Sequence, residues 1–124
     1  QREIGMSIWF ITHDLGVVAE LSHQVAVMYA GKVVERSDVT SLYARPRHPY
    51  TQGLFKSLPR STGHAKRLEV IQGSVPNPLD MPPGCRFAPR CPHAIDDCKQ
   101  VEPGLFEVEP GHAVACLRVE RGDI

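Results

Sequence analysis

The first sixty residues alternate between short apolar runs and polar turns, a pattern typical of an α/β domain. The stretch "SIWFIT", residues 7–12, is a short continuous apolar run that stops at His13 and Asp14. Such a run is typical of a strand buried on both faces, as in a parallel sheet. We predict a central strand here, although a strand of this kind needs neighbours that this chain does not contain.

The next segment has the pattern of a helix followed by a hairpin. Asp14 can cap a helix in which apolar residues recur at helical spacing, namely Leu15, Val18, Ala19 and Leu21. The stretch "VAVMYAGKVVE", residues 25–35, then predicts two strands around a tight turn at Gly31. The order is therefore strand, helix, hairpin.

Two short helices should follow the hairpin, in "DVTSLYA" at 38–44 and in "PYTQGLFKSL" at 49–58. Pro49 suits the first turn of the second helix, because its missing N–H is harmless there. His48 precedes that proline and should be extended. Within "RHPY" we favour a structural role over a phosphate contact through Arg47 and His48, with Tyr50 and Phe55 packing the helix.

The pattern changes near residue 59, after which proline, glycine and polar turns dominate. We therefore divide the chain into residues 1–58 and 59–124. In the second region, "LFEVEPGHAVACLRV", residues 105–119, predicts a hairpin that turns at Pro110 and Gly111. Its return strand would bring Cys116 back towards the other cysteines.

Composition narrows the class of protein. Fourteen basic residues balance fourteen acidic ones, so the chain lacks the positive charge that usually accompanies nucleic-acid binding. No apolar run approaches the roughly 18 to 20 residues of a membrane span, and no secretory leader is visible. We expect a soluble intracellular chain. Because it starts with Gln1 in a polar stretch without an initiation signal, we also expect it to be the C-terminal part of a larger protein.

Four cysteines form the strongest chemical pattern of the second region: Cys85, Cys91, Cys98 and Cys116, spaced C-x5-C-x6-C-x17-C. They could form two disulfides, hold a metal, or be plain buried thiols. Reducing conditions inside cells argue against disulfides. The x5 and x6 gaps are wide for structural zinc without excluding it, and they suit the bulkier core of a [4Fe–4S] cluster. Spacing alone leaves zinc, iron–sulfur and no ligand all open.

Histidines are the other candidates for chemistry. His13 follows the predicted strand, and ligands bind at the carboxyl ends of strands in open α/β sheets. An imidazole there can donate to a phosphate oxygen or position a water, but from the spacing alone a strand-end histidine beside a capping aspartate is more often a structural turn residue. Four other histidines are not spaced so as to lie together on one face of a predicted element, and we interpret them as solvated or turn residues: His23, His64, His93 and His112. Of these, His93 is the candidate to bond a metal-site sulfur or substitute as a ligand.

Four motifs in this order, "THDL", "VMYAGK", "RHPYTQGL" and "GCRFAPRC", resemble the ATP-binding subunits of ABC transporters in the oligopeptide and dipeptide importer family. The resemblance implies that residues 1–58 are the end of a RecA-like ABC ATPase domain and that 59–124 form a loop-rich extension with an iron–sulfur-type tail. It also implies that His13 is the switch histidine, which reaches the γ-phosphate of ATP and helps organise the attacking water. Asp14 would cap the helix that follows and serve as an orienting group, without a direct part in catalysis.

The same resemblance favours a [4Fe–4S] cluster on Cys85, Cys91, Cys98 and Cys116, with Zn²⁺ as the alternative. Leu117 stands where some relatives have histidine. ATP and Mg²⁺ would be cofactors of the intact protein. The implied partners are a second ATP-binding subunit, transmembrane permease subunits and, indirectly, a peptide-binding protein, with no nucleic acid. The implied location is the cytoplasmic face of the cell membrane, as a peripheral protein.

The motifs that bind nucleotide phosphates are absent from the sequence. The Gly-Lys pair at Gly31 and Lys32 is followed by Val33, where a P-loop requires Ser or Thr. No LSGGQ-like signature and no strand ending in an acidic pair is present. We expect those parts upstream, so this chain alone should not hydrolyse ATP. The alternative is a standalone four-cysteine metal-binding interaction module without ATPase activity, whose folding would depend on metal.

Overall fold

The computed structural model describes residues 3–58 and 70–124. Within these ranges, four strands form one antiparallel sheet in the order β1-β2-β4-β3: β1 (Gln24–Tyr29), β2 (Lys32–Asp38), β3 (Phe106–Glu109) and β4 (His112–Val114). Short helices surround the sheet: α1 (Leu15–Leu21), α2 (Val39–Ala44), α3 (Pro49–Lys56), α4 (Asp96–Gln100) and α5 (Leu117–Glu120), with a 3₁₀ turn at Ala88–Arg90. The fold is a small α/β structure.

The first predicted hairpin is confirmed. Strands β1 and β2 pair from Gln24 with Asp38 to Tyr29 with Lys32. The turn residues Ala30 and Gly31 both have positive φ, +47° and +81°. A two-residue turn with two positive φ angles matches the right-handed twist of the strands it connects, which explains the glycine.

The second predicted hairpin is also confirmed, with β3 and β4 antiparallel around Pro110 and Gly111. Strand β4 also pairs with β2, Glu35 opposite Val114 and Arg36 opposite Ala113. The hairpins that lie on either side of residue 59 therefore share one sheet. The boundary predicted at residue 59 lies outside the described residues.

Side-chain caps fix the beginnings of the three predicted helices, all of which are present. The Asp14 carboxylate accepts from Gly16 N at 2.9 Å, and Asp38 accepts from Ser41 N, also at 2.9 Å. Helix α3 begins with Pro49, and its cap is His48, which is extended as predicted (φ −75°, ψ 134°). Each cap satisfies a backbone N–H that has no partner within its helix.

The strand predicted at residues 7–12 is wrong. The segment has no regular structure, and its apolar side chains face solvent, Trp9 at 85% and Ile11 at 88% exposure. The described residues supply no strand beside it, and an unpaired strand leaves its backbone groups without partners. The parallel, RecA-like arrangement expected for this part is therefore not observed, and the sheet that forms is antiparallel.

The core lies between the first hairpin, α3 and the segment around Phe87. Tyr29, Val34 and Phe87 are buried together. The Tyr29 ring lies 4.7 Å from that of Tyr50 and 5.2 Å from that of Phe87, between ring centroids. Phe55 contacts Tyr43 of α2 in the same way at 4.7 Å. The prediction that Tyr50 and Phe55 pack their helix, which is α3, against the rest of the fold is confirmed.

Neither 3–58 nor 70–124 contains a helix with the length and apolar character needed to cross a bilayer.

Candidate functional site

The four cysteines line one small cavity of about 10 Å³, the size of a single water. The return strand β4 leads directly into Cys116, which joins Cys85, Cys91 and Cys98 there as the hairpin predicted. All four are free thiols. The cavity is also lined by His48 of the "RHPY" stretch.

Backbone contacts hold the cysteine segments close to one another. Cys85 N donates to the carbonyl oxygen of Cys98 at 2.8 Å. Gly84 makes this approach possible, because a Cβ at that position would lie 2.4 Å from the Cys98 oxygen and 2.6 Å from the carbonyl carbon of Lys99. A 3₁₀ turn then separates Cys85 from Cys91, and a helix begins just before Cys98.

Two opposing influences act on the thiols. Burial raises the pKa of Cys85 and of Cys116, and it raises the pKa of Cys91 to about 11. In the other direction, backbone N–H groups hydrogen-bond these sulfurs: those of Phe87 and Ala88 to Cys85, that of His93 to Cys91, and those of Arg118 and Val119 to Cys116. Such bonds favour thiolates. Burial has the larger effect on all three sulfurs, so their pKa values are raised overall and the neutral thiol is favoured.

Metal-binding geometry for a single ion is not found in the described ranges. Across residues 3–58 and 70–124, no three His, Cys, Asp or Glu side chains are grouped closely enough to hold one.

A buried carboxylate lies beside this cavity. Glu35 of β2 is fully buried, and its oxygens accept from Arg47 N at 2.7 Å and from His48 N at 3.0 Å. His112 Nε2 lies 2.7 Å from the same carboxylate. Glu35 therefore connects three segments, which are β2, the "RHPY" turn and β4.

His48 connects this carboxylate to the cysteines. Its backbone N–H donates to Glu35, its Nδ1 accepts from Tyr50 N at 3.0 Å, and its side chain lines the cysteine cavity. Burial lowers the pKa of His48 to about 4, although the Glu35 charge acts in the opposite direction. The imidazole is therefore neutral at physiological pH.

The interpretation of His112 as a solvated or turn residue is wrong, because its side chain is buried against Glu35. The sequence contained one indication: Glu35 ends the apolar run "KVVE" of a strand, and a charged residue in such a position needs a partner. Its partner lies 77 residues away, a separation that periodicity cannot bridge. His64 lies outside the described residues, and His23 is exposed.

His13 lies immediately before the cap of α1 with its side chain exposed. Asp14 serves as that cap, as predicted. His93 lines the cysteine cavity but is exposed, and its carbonyl accepts from Arg118 at 3.2 Å. Leu117 lines the cavity as well. The roles suggested for His13 and His93 stay predictions.

Two arginines of "GCRFAPRC" attach the cysteine segment to the rest of the fold. Arg86 donates to the carbonyl of Ala30 in the first hairpin turn. Arg90 donates to the carbonyl oxygens of Ile71 and Gln72, both at 2.9 Å. The segment between the first two cysteines therefore contacts both the β1–β2 turn and the residues that follow the undescribed stretch.

Comparisons with known proteins agree on one family. Residues 34–98 match the family described as "Oligopeptide/dipeptide transporter, C-terminal region". The chain is 53% identical over 116 residues to a "Probable peptide ABC transporter ATP-binding protein" of Sinorhizobium fredii, covering 93% of this chain and 35% of the relative. It is 49% identical over 119 residues to the "Oligopeptide transport ATP-binding protein AppD" of Bacillus subtilis, covering 96% and 36%.

The chain spans about a third of the length of these curated relatives. The family match begins in β2 and ends at the third cysteine, so it includes Glu35, His48 and most of the cysteine site. From this match and these identities, the chain belongs to the oligopeptide/dipeptide transporter C-terminal region family, in agreement with the resemblance of its four motifs.

Proposed function

We propose that the chain is the C-terminal part of the ATP-hydrolysing subunit of a peptide importer, where ATP binding and hydrolysis drive solute uptake. The observation that carries this proposal is the family match over residues 34–98, together with relatives whose names describe ATP-binding proteins of peptide transport. Those names favour the importer subunit over a standalone metal-binding module.

In this proposal residues 1–58 end the ATPase domain, and residues 59–124 are the importer-specific extension. The sequence of this chain has no P-loop, so the groups that bind ATP and Mg²⁺ come from elsewhere in the protein. His13 would donate a hydrogen bond to the terminal phosphate and orient the attacking water. Its exposed position before α1 leaves the ring free to meet a nucleotide held by other parts.

The proposed partners are a second ATP-binding subunit and the transmembrane permease subunits, with a peptide-binding protein as an indirect partner. The subunit would lie on the cytoplasmic face of the membrane as a peripheral protein. Copurification of the intact subunit with its permease from detergent-solubilised membranes tests this assignment. Recovery of the subunit without any permease, under conditions that preserve other transporters, would contradict it.

ATP turnover of the intact subunit tests the role of His13. His13→Ala should slow hydrolysis while leaving ATP affinity unchanged, because the group acts on the reaction rather than on binding. His23→Ala is the matched control, since His23 is another exposed histidine on the other side of α1. Unchanged turnover in His13→Ala would remove the residue from the mechanism.

We further propose that Cys85, Cys91, Cys98 and Cys116 hold a [4Fe–4S] cluster, with Zn²⁺ as the alternative ligand. The support is the donor set: four thiols around one cavity, with five backbone N–H groups directed at three of the sulfurs. Bonds to sulfur of this kind are among the features that tune such clusters. The present cavity is smaller than a cluster, so loading requires the surrounding segments to move outwards.

Anaerobic reconstitution with ferrous iron and sulfide tests the cluster directly. We expect about four iron and four sulfide per chain, as the [4Fe–4S] composition requires. Cys98→Ser should abolish loading. One tightly held zinc, with no stable iron and sulfide, would assign the site to the alternative instead, and the absence of both would refute the proposal.

A further inference from the structure

The buried carboxylate of Glu35 is bonded to two of the segments that surround the cysteines, which packing of the sheet alone does not require. Glu35 lies in β2 and has no exposed surface, yet its side chain does not line the cysteine cavity. A carboxylate buried in this way costs free energy unless donors meet its oxygens. Its donors therefore show which segments it holds in place.

The first of these segments is the "RHPY" turn. The Glu35 oxygens accept from Arg47 N at 2.7 Å and from His48 N at 3.0 Å. The side chains of His48 and Pro49, which follow directly, line the cysteine cavity. Glu35 thus fixes the backbone from which this wall of the cavity projects.

The second segment is β4, which leads into Cys116. His112 is the first residue of β4 and is buried, and its Nε2 lies 2.7 Å from Glu35 Oε1. A carboxylate only accepts, so the proton is on Nε2 and the imidazole donates. Further along the strand, Val114 pairs opposite Glu35 and is buried in one cluster with Cys116.

Backbone pairing between β4 and β2 is short. Two residue pairs are in register, those of Glu35 and Arg36, and Ala115 N then donates to the carbonyl oxygen of Val34 at 2.8 Å. A slip of one residue would turn the side chains of β4 to the opposite face of the sheet and carry Cys116 with them. The bond between Glu35 and His112 opposes such a slip from the other end of the strand.

We propose that Glu35, through its bond with His112, is a positioning residue for the four-cysteine site: one carboxylate holds β4 against β2 and the "RHPY" turn, and so keeps the Cys116 thiol at the cavity. This inference rests on the proposed function only in treating the four cysteines as one ligand set. Neither Glu35 nor His112 lines the cavity, so both act through the backbone that carries Cys116.

Two substitutions of His112 separate the hydrogen bond from the bulk of the ring. In His112→Gln, the amide nitrogen can replace Nε2 and donate to Glu35. In His112→Leu, an apolar side chain fills the space but offers no donor, so the buried carboxylate loses one of its three partners. The test substitutes His112 because a change at Glu35 would also affect the two backbone donors of the "RHPY" turn.

Thiol labelling of the full 124-residue chain, reduced and metal-free, provides the readout. Labelling rates with iodoacetamide are measured by mass spectrometry for Cys116 and Cys98, both buried in the native chain. Cys98 lies in α4, outside the segments that Glu35 holds. The ratio of the Cys116 rate to the Cys98 rate reports local opening at Cys116, because global unfolding exposes both thiols together.

We expect this ratio to rise about fivefold or more in His112→Leu, where the carboxylate loses a donor, and to stay within about twofold of the wild-type value in His112→Gln. Leu42→Ala is the control for a general loss of stability. Leu42 of α2 is fully buried but does not line the cysteine cavity, so its truncation should also leave the ratio within about twofold.

An unchanged ratio in His112→Leu, or an equal rise in both His112 variants, would overturn the proposal and leave the pair as a contact of the core without a role at the cysteines. An equal rise in Leu42→Ala would do the same, since the ratio would then follow general stability. Global unfolding of His112→Leu, with both thiols labelled equally, also counts against a local role. Because no metal is present, these outcomes are independent of whether the cysteines hold a cluster.

Discussion

Two apolar segments of this chain differ in structure: one is irregular and exposed, and the other forms paired strands. Residues 7–12 are exposed and have no regular structure, and Trp9 has 85% of its surface in solvent. The strands of the first hairpin are no more apolar, yet Tyr29 retains only 4% exposure. The second segment has its partners among the described residues, whereas the first has no strand beside it in residues 3–58 and 70–124. Apolar character by itself therefore did not decide which segment became a strand.

The polar residues of the two segments also differ, in how far along the chain their hydrogen-bond partners lie. In the sheet, Glu35 is fully buried because three donors from other segments meet its carboxylate. In and just after the first segment, the side chains of Thr12 and Asp14 accept hydrogen bonds from backbone N–H groups two or three positions away. Long-range polar contacts of the first kind are expensive to break, since a buried group is left without its partner. The two segments should respond very differently to substitution.

The largest effect should come from Glu35→Gln. The amide nitrogen would face the N–H donors that the carboxylate now accepts from, and buried groups would be left without partners, so we expect a loss of about 3–5 kcal/mol in the free energy of unfolding. Urea denaturation followed by circular dichroism measures it. Glu107→Gln, on an exposed position of β3, is the control and should change stability little. Equal effects of the two would show that the buried carboxylate contributes nothing special.

Gly84→Ala should have the next largest effect, about 2–3 kcal/mol, because the new methyl group would overlap the backbone of Cys98 and Lys99. The thermal midpoint of the metal-free chain gives the measurement. Gly104→Ala is the matched control, since no atom lies within 4 Å of a Cβ at that glycine. If both alanines are tolerated alike, the close approach of the two cysteine segments is not required for stability.

Acid should destabilise the metal-free chain through His48. Burial lowers the pKa of this imidazole to about 4 in the folded state, from 6.5, so the unfolded chain takes up the proton first. Stability should therefore fall as the pH drops below about 6.5, by about 1.4 kcal/mol per pH unit, or about 2 kcal/mol at pH 5.

The unfolding free energy at pH 7.5 and at pH 5, compared with that of His48→Gln, isolates this contribution. The variant lacks the titrating ring and should lose about 2 kcal/mol less between the two pH values. The same loss in both chains would place the acid sensitivity elsewhere in the fold.

The smallest effect should come from the first segment. Trp9→Ser removes the largest apolar side chain of residues 7–12, yet we expect a change within about 0.5 kcal/mol, because the side chain is exposed in this chain. Tyr29→Ser, which removes a buried aromatic ring, is the contrasting variant. A loss of several kcal/mol in Trp9→Ser would mean that the apolar run packs within the chain after all.

The features that the sequence predicted correctly are those with local signals. Asp14, Asp38 and Pro49 lie at helix starts for reasons contained within three or four residues, and Gly31 and Gly111 lie in turns that need a positive φ. The assembly of the cysteines followed from one such turn, which reverses the chain before Cys116. In each case, residues within a few positions were sufficient to predict the feature.

The failures concern contacts between distant parts of the chain. The apolar run 7–12 predicts a strand, but pairing depends on segments that the run cannot specify. The contact between Glu35 and His112 spans 77 positions, and it depends on how β4 pairs with β2. Each of these follows from tertiary structure, and a periodic pattern in one segment carries no information about its partner.

Hydrogen exchange of the full 124-residue chain, followed by mass spectrometry, most directly tests the contrast between the two segments. We expect amides of β2 and the amide of Ala115 to exchange slowly, because they are bonded within the sheet, and those of residues 8–12 to exchange at the rate of unstructured chain. Protection of residues 8–12 comparable to that of β2 would contradict the conclusion that this apolar run has no pairing strand within the described ranges, 3–58 and 70–124.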